Sequence, residues 1–473
     1  MKTPLKPNFH LAPIIALWLS AVACAQDLPN VVIVLADDLG YGSVGAYGAD
    51  PHLVRTPHID QLAAEGIRFD QAYTTGSVCS PTRYDLLTGR YSWRTHLKHA
   101  VVNENDPLLI APGLDTIASW LKQRGYQTSH VGKWHLGYGA APFQSLAEAA
   151  AVGPNSVGFD YHFGIPNNMD DVHKVYVENG GIAGLRSKRV SPYGRSYYGK
   201  QYAGYDAPQR NEPEVMEVIT RKAIQWIDQR DRTKPFFIYF APVAVHHPIM
   251  PSDRMRGTSA AGAYGDFIHD LDYSVGQLIN ALRVRGLDRN TLFVFTSDNG
   301  GDIPEDERSP ERQAIAAGLR INGNHRGDKH QIYNGGFRIP MVIRWPAKLA
   351  PGAVATGTVS TIDLFPTLAE IIDTPLAREQ FDGRSFRSLL THPSDGFQRE
   401  DLVLRDVNGR RAVISGPYKY LGDQFPPGAK GAMVEEELYH LGSDPGETRN
   451  LAGSMPEVVA ALRQRLKQIS RGD

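Results

Sequence analysis

Cysteine is nearly absent from this chain, with two in 473 residues. One of them, Cys24, falls at the end of an apolar leader, so the mature protein keeps Cys79 alone. A single thiol builds neither an intrachain disulfide nor a structural zinc site. An excess of charge of one sign is missing too. Lys and Arg number 50 against 51 Asp and Glu, and the formal net charge of −1 gives no global field to recruit nucleic acid or a membrane surface. Past the leader, no stretch approaches the ~18 uninterrupted apolar residues of a membrane-spanning helix. Internal repeats and low-complexity tracts are likewise lacking, so a polyanionic partner would have to be met by a local patch.

The leader carries Lys2 and Lys6, then an apolar run over 11–22, then Ala23-Cys24-Ala25 before Gln26. This reads as a signal peptide over residues 1–25, too short for a span and followed by polar sequence. Ala21-Val22-Ala23-Cys24 also reads as a bacterial lipoprotein box, in which Cys24 would be lipidated. Either reading predicts export to the periplasm or beyond, and export without disulfides suits a bacterial envelope protein. The chain that remains is long for one ordinary domain. It divides by composition into a large unit over 27–350 and a smaller one over 351–473.

Short β-rich apolar runs alternate with helical periods, the pattern of an α/β fold with a largely parallel sheet. Strands are expected at 30–36, 127–131, 235–240, 291–296 and 340–345, and helices at 115–124, 214–229 and 264–285. The first four strands end directly in polar residues: Asp37-Asp38, Lys133 with His135, His246-His247, and Ser297-Asp298-Asn299. Open α/β sheets place their sites outside the carboxyl ends of the strands. Four such endings read as one site assembled from distant segments.

Asp37-Asp38-Leu39-Gly40 and Asp298-Asn299-Gly300-Gly301 would each pass singly for a turn. Together they offer three carboxylates and an amide oxygen, a hard set that selects calcium or magnesium over zinc. In Cys79-Ser80-Pro81-Thr82-Arg83, Pro81 suits the first position of a helix with Ser80 as its cap. Cys79 would then stand just before a helix N-terminus, and Arg83 would add a positive fork for an oxyanion. Lys133 and His135 share a direction by the period of two.

The Cys-x-Pro-x-Arg pattern, followed by Leu87-Thr88-Gly89-Arg90, resembles the signature of the type I sulfatases of the alkaline-phosphatase superfamily. Gly132-Lys133-Trp134-His135-Leu136-Gly137 resembles their second signature, and His246-His247-Pro248 their His-x-Pro element. The resemblance implies a large, mixed, mostly parallel sheet flanked by helices, with a small C-terminal antiparallel sheet and helix. It implies hydrolysis of sulfate monoesters by a formylglycine made from Cys79, with one calcium ion held by Asp37, Asp38, Asp298, Asn299 and the modified Cys79. Lys133 and Lys329 would bind sulfuryl oxygens, His246 would protonate the leaving alcohol, and His135 would serve as the base that releases sulfate. Arg83 belongs to the same catalytic group. A formylglycine-generating enzyme is the implied maturation partner.

Two departures from the family pattern stand out. Asn334 occupies a position where relatives usually have Glu, and Asn168 stands near a serine that touches sulfate in arylsulfatase-type relatives; Asn168 is therefore a candidate substrate contact. The ending from Glu437-Leu438-Tyr439-His440 to Asn450-Leu451-Ala452 resembles the family's tail, with strands at Arg411–Ser415 and Tyr418–Leu421 and a helix at Pro456–Ile469. This tail is expected to cover one side of the site. Residues 186–200 interleave five cations with three tyrosines. They read either as a solvated loop or as a glycan subsite, which points to a sulfated polysaccharide or oligosaccharide substrate. Two other classes share much of this pattern. A phosphatase or phosphodiesterase of the same superfamily would use Ser or Thr and two zinc ions with added histidines, and a sulfated-glycan binder would keep the fold without activation.

Overall fold

The computed structural model describes residues 28–470, except 104–105, 140–151, 373, 375, 378–379, 396, 398 and 423–434. The leader and Cys24 lie outside the described residues. Strand β1 (Asn30–Ala36) is central, and every residue after Asn30 in it is apolar, as a strand covered on both faces requires. Val31, Ile33 and Leu35 enter one core while Val32, Val34 and Ala36 enter the other. Full burial of each Val, Ile or Leu contributes ~1.5–3 kcal/mol, so β1 is fixed from both sides.

Nine more strands extend the sheet: β2 (Ile67–Phe69), β3 (Gln127–Lys133), β4 (Tyr161–Ile165), β5 (Val177–Glu178), β6 (Gly181–Ile182), β7 (Phe236–Ala241), β8 (Thr291–Ser297), β9 (Met341–Arg344) and β10 (Ala353–Ala355). Their spatial order is β10-β2-β9-β8-β1-β7-β3-β4-β5-β6. The run β8-β1-β7-β3-β4 is parallel throughout, whereas β9 enters antiparallel. Helices α1 (Cys79–Thr88) and α2 (Ile117–Lys122) contribute Leu86, Leu87, Trp120 and Leu121 to one core. Helices α3 (Val215–Gln229) and α4 (Gly262–Val284) contribute Val215, Ile219, Phe267 and Leu271 to the other.

The C-terminal sheet is antiparallel in the order β11 (Leu402–Arg405), β12 (Arg411–Ser415), β13 (Tyr418–Leu421), β14 (Glu437–His440). Helix α5 (Pro456–Ile469) packs on it through Val459 and Leu462. Their core continues into Tyr73, Trp93 and Phe337 of the large unit. Arg405 N donates to Thr75 O at 2.9 Å and Ser77 N to Arg405 O at 3.1 Å, tying the end of β11 to the loop before Cys79. No helix among the described residues is long and apolar enough to cross a membrane.

Strand β10 pairs with β2, so the large sheet includes residues 353–355. Two local expectations are corrected. Helix α2 starts at 117 because Thr116 and Ser119 cap it reciprocally, at 3.0 and 2.9 Å, leaving Asp115 outside. Helix α1 begins at Cys79 itself. The Ser80 hydroxyl donates to His135 O (2.9 Å) and accepts from Val102 N (3.1 Å), so it does not cap the helix, and Pro81 falls at the third helical position. A missing N–H is harmless there, since first-turn amides have no helical partner.

Candidate active site

Because β8, β1, β7 and β3 are adjacent and parallel, their carboxyl ends open on one sheet edge within about three strand spacings of ~4.8 Å. That edge gathers Asp298 and Asn299, Asp37 and Asp38, His246 and His247, and Lys133 and His135. The ends are laced together. Asp298 N donates to Ala36 O (3.0 Å), Asp37 N to Ala244 O (3.0 Å), and Asp38 N to Asp298 Oδ1 (3.1 Å). Glycines permit the close approach: a β carbon on Gly132 (φ +118°) would lie 2.0 Å from Ala241 O, and one on Gly300 1.7 Å from Gly335 O. Asp38 and His135 take left-handed φ of 58° and 56°, strained for residues with a β carbon. The period of two therefore stops at Lys133, and a backbone turn aims His135 into the site.

Cys79, present as the thiol, is the first residue of α1 and is 1% exposed. Its Sγ lies 3.6 Å from Asp37 Oδ1, and Lys133 Nζ lies 3.3 Å from it. Burial pushes the thiol pKa well up, and Asp298 adds to the shift, so an unmodified Cys79 is a poor nucleophile. Lys133 Nζ also donates to both oxygens of Asp37, at 2.8 and 2.7 Å. Lys329 Nζ donates to Asp38 Oδ2 at 2.7 Å.

Arg83, expected as a fork for an oxyanion, faces carboxylates in the structure. It is fully buried and donates to Asp298 Oδ2 through Nε (3.1 Å) and Nη2 (2.6 Å), to Asp37 Oδ1 (3.2 Å) and to Lys133 O (3.1 Å). Each guanidinium nitrogen is committed to these partners. Arg83 holds the carboxylates in place.

Ligand atoms of Asp37, Asp38, Cys79 and Asp298 all lie within 4.8 Å of one another. Asn299 Nδ2 donates to Asp38 Oδ1 (2.7 Å), while its buried Oδ1 has no hydrogen-bond partner. Burial pushes Asp37 up to about 7 even though Lys133 opposes it. Burial pushes Asp298 up as well, but Arg83 and Lys133 outweigh it and hold that carboxyl below the usual range. An orphaned amide oxygen beside crowded carboxylates fits a hard divalent cation. Among the described residues, the other metal-capable group is the overlapping Asp38, Cys79 and His246. One oxygen-rich centre with a single histidine does not suit a two-zinc site.

A pocket of about 680 Å³ opens over Cys79 and is lined also by His135, Asn168, His246, His247 and Lys329. Asn168 Oδ1 is buried without a partner. His246 Nε2 lies 3.7 Å from Asp38 Oδ2, and its Nδ1 faces the His247 carbonyl. Burial, then Lys329 and Lys133, hold His246 neutral; burial and Lys133 do the same for His135, whose buried Nδ1 has no partner. Asn334 lies away from this pocket. Its Oδ1 accepts from Lys419 Nζ (3.1 Å) and its N donates to Glu447 Oε2 (2.6 Å), docking the C-terminal sheet.

The outer wall was not legible in advance. Asp302, Glu305, Asp328 and His330 line it, as does Val407 from the turn after β11. Tyr197 and Tyr198 reach the pocket from segment 186–200, but Arg186 pairs with Asp206 (2.8 Å) and Arg195 with Gly199 O (3.0 Å), and neither cation lines it. No period or motif marks Asp302 or Asp328, which belong to irregular loops.

A sheet with its polar residues at one carboxyl edge, an oxygen-rich metal-capable cluster and a covering C-terminal sheet define a hydrolase of the alkaline-phosphatase-like fold. The family model described as Sulfatase matches residues 29–374, and that described as N-sulphoglucosamine sulphohydrolase, C-terminal, matches 323–472. N-acetylgalactosamine-6-O-sulfatase of Bacteroides thetaiotaomicron is 33% identical, with 93% of each chain covered. Human arylsulfatase A is 32% identical, covering 92% of this chain and 86% of the relative. A solved structure described as "Metabolism of multiple glycosaminoglycans by bacteroides thetaiotaomicron is orchestrated by a versatile core genetic locus" is 32% identical with a TM-score of 0.85, over 94% of this chain and 99% of that one. The chain belongs to the sulfatase family and is a sulfuric ester hydrolase.

Proposed function

We propose that this sulfatase removes sulfate from a sulfated polysaccharide or its oligosaccharides, using formylglycine made from Cys79 and one calcium ion. The carrying observation is the convergence of Asp37, Asp38, Asp298 and Asn299 on the Cys79 side chain, with the Asn299 oxygen unpartnered. The relative named for N-acetylgalactosamine-6-O-sulfate and the structure described for glycosaminoglycan metabolism support a 6-O-sulfated amino sugar as the substrate class. The proposal includes an exported protein matured by a formylglycine-generating enzyme, with the large catalytic unit and C-terminal unit described above.

Asp37, Asp38, Asp298 and Asn299 would hold calcium together with residue 79, and the bound ion supplies Lewis-acid charge for the sulfuryl oxygens. Formylglycine, once formed, supplies an aldehyde hydrate as the oxygen nucleophile in place of the thiol. The remaining work falls to side chains. Lys133 and Lys329 meet sulfuryl oxygens as preorganised cations, with the Asn168 amide as a further donor. The His247 carbonyl is an acceptor only, so the neutral His246 ring keeps its proton on Nδ1 and points a bare Nε2 toward Asp38. An anionic ester beside that ring favours its protonation, which equips His246 to hand a proton to the leaving alcohol. Lys329, whose pKa is raised despite burial because Asp38 is adjacent, is the second donor. His135, held neutral, accepts the proton released as sulfate departs.

The test is the mass of the tryptic peptide containing residue 79, taken from active protein, with elemental analysis of the same sample. An aldehyde in place of the thiol and one calcium per chain are expected. Full activity from unmodified cysteine would sink the formylglycine step, and two stoichiometric zinc ions would point to a phosphatase.

A further inference from the structure

Segment 186–200 enters the site through one residue pair. Tyr197 and Tyr198 are 61% and 53% exposed and still line the pocket. Their rings form a train with two histidines. Tyr197 and Tyr198 meet edge-on at 5.2 Å between centroids, Tyr198 meets His247 at 5.8 Å, and His247 meets His246 at 4.6 Å. The Tyr198 hydroxyl is hydrogen-bonded to His247 Nε2. On the other side of that ring, His247 Nδ1 makes no hydrogen bond, and its neighbours are Asp302 Oδ2 at 3.3 Å and Glu311 Oε1 at 3.9 Å.

The direction of this chain of contacts follows from its ends. Burial, then Lys329, hold His247 neutral, so the ring carries one proton. Asp302 can supply only negative charge and lone pairs to that side of the ring, which favours the proton on Nδ1. Nε2 is then the acceptor and Tyr198 the donor. With its own proton directed at His247, the phenol oxygen keeps its lone pairs for a donor in the pocket. A sulfate ester offers none, but a sugar hydroxyl does.

We propose that Tyr198 is a sugar-contacting residue, held across the pocket by His247 and Asp302, that accepts a hydrogen bond from a hydroxyl beside the cleaved ester while its ring lies against the sugar face. The inference rests on the sugar-sulfate reading above. Tyr198 touches substrate, whereas His247 and Asp302 are positioning residues acting through it. His247 then differs from its neighbour His246: one orients the sugar platform, the other serves the reaction.

The test compares kcat/KM for a sugar sulfate, 6-O-sulfated N-acetylgalactosamine, with kcat/KM for p-nitrophenyl sulfate, and reads the ratio so that losses common to both cancel. Formylglycine content and melting are checked in every variant. Tyr198→Phe keeps the ring and loses the acceptor, so the ratio should fall ~3–10-fold, mainly through KM. Tyr198→Ala loses the platform as well and should cost ~10–100-fold. His247→Ala should lower the ratio toward the Tyr198→Ala value. In His247→Gln the amide can accept from Tyr198 and face Asp302 with its NH₂, so the ratio should return most of the way. An unchanged ratio in Tyr198→Ala, or His247→Gln no better than His247→Ala, overturns the inference alone. Wild type that cleaves p-nitrophenyl sulfate but no sulfated sugar overturns the substrate reading too, and that result is visible before any variant is made.

Discussion

Arg83→Lys separates two roles that the sequence leaves confounded: a fork for the substrate anion and a clamp on the metal-binding carboxylates. The charge is kept, so Coulomb attraction on the cluster is nearly unchanged and geometry is what changes. Arg83 makes four hydrogen bonds, from Nε and Nη2 to Asp298 at 3.1 and 2.6 Å, from Nη2 to Asp37 at 3.2 Å and from Nη1 to Lys133 O at 3.1 Å. A lysine ammonium reaching that space can keep the Asp298 contact and loses the fork. Bonds to charged groups contribute ~1.5–3 kcal/mol each, and part of that loss falls on the fold before calcium arrives. If one bond's worth falls on the metal site, calcium affinity drops ~10–100-fold.

Because Arg83 belongs to the Cys-x-Pro-x-Arg signature, activity would mix metal effects with maturation. The assay is therefore calorimetric calcium binding to protein with residue 79 unconverted, compared between wild type and variant. Calcium-dependent thermal stabilisation gives a second readout, which shrinks by ~1.4–2.7 kcal/mol at saturating calcium for the same change in affinity. The clamp reasoning fails if calcium binds Arg83→Lys as tightly as wild type while inorganic sulfate, added with calcium saturating, binds it more weakly.

Three other outcomes are expected. His246→Ala should lose ~10²–10⁴-fold on sulfates of poor leaving alcohols and much less on nitrophenyl sulfate; a series of aryl sulfates with rising phenol pKa should show a steeper rate dependence for this variant and an unaltered slope for His247→Ala. The pocket's outer carboxylates, Asp302 and Glu305, should oppose a second sulfate, so a disulfated amino sugar should be cleaved with lower kcat/KM than its 6-O-monosulfated counterpart, and the gap should narrow in Glu305→Gln, as steady-state kinetics on the matched pair would show. Lys419→Met leaves the buried Glu447 carboxylate without its ion-pair partner, whose Nζ lies 2.6 Å from Oε1, and should destabilise the protein by ~3–5 kcal/mol in denaturant melts, with Glu447→Gln in the same chain relieving part of that loss.

The large sheet was legible because its central strands announce themselves. Asn30–Ala36 is apolar on both faces, and its expected limits match the structure. The strand-end motifs were legible for the same reason: a polar residue directly after such a run has one place to go. The start of α1 was misread because the Ser80 hydroxyl answers to His135 and Val102, partners 55 and 22 residues away. The contacts of Arg83 are hidden from the sequence on similar grounds. A fixed cation near a candidate nucleophile suggests anion binding, but its partners Asp37 and Asp298 meet it only after β1 and β8 pair. Of the three tyrosines in 186–200, Tyr197 and Tyr198 reach the pocket while Tyr193 and the cations do not line it, a distinction that composition does not carry. The acidic outer wall comes from loops with no period, and nothing local announces it.

Charge arithmetic connects the clamp to the chemistry. When all are ionised, Asp37, Asp38 and Asp298 bring three negative charges, and Arg83, Lys133 and Lys329 bring three positive ones, all buried. Without a cation the cluster is balanced in sum but not in distribution: Asp298 takes two contacts from Arg83, Lys133 lies on Asp37, and Lys329 lies on Asp38. In that state both lysines are occupied by carboxylates and neither is free for an ester. A divalent ion held by the carboxylates would make the sum +2 and would compete with each lysine for its partner. The lysine heads would then be available to a sulfuryl group, and an excess of positive charge would meet the anion in a site where burial magnifies it. Arg83, tied to Asp298 by two of its nitrogens, stays where it is. A metal bound in this arrangement would do more than polarise an oxygen: it would turn two lysines from counterions of the protein into counterions of the substrate.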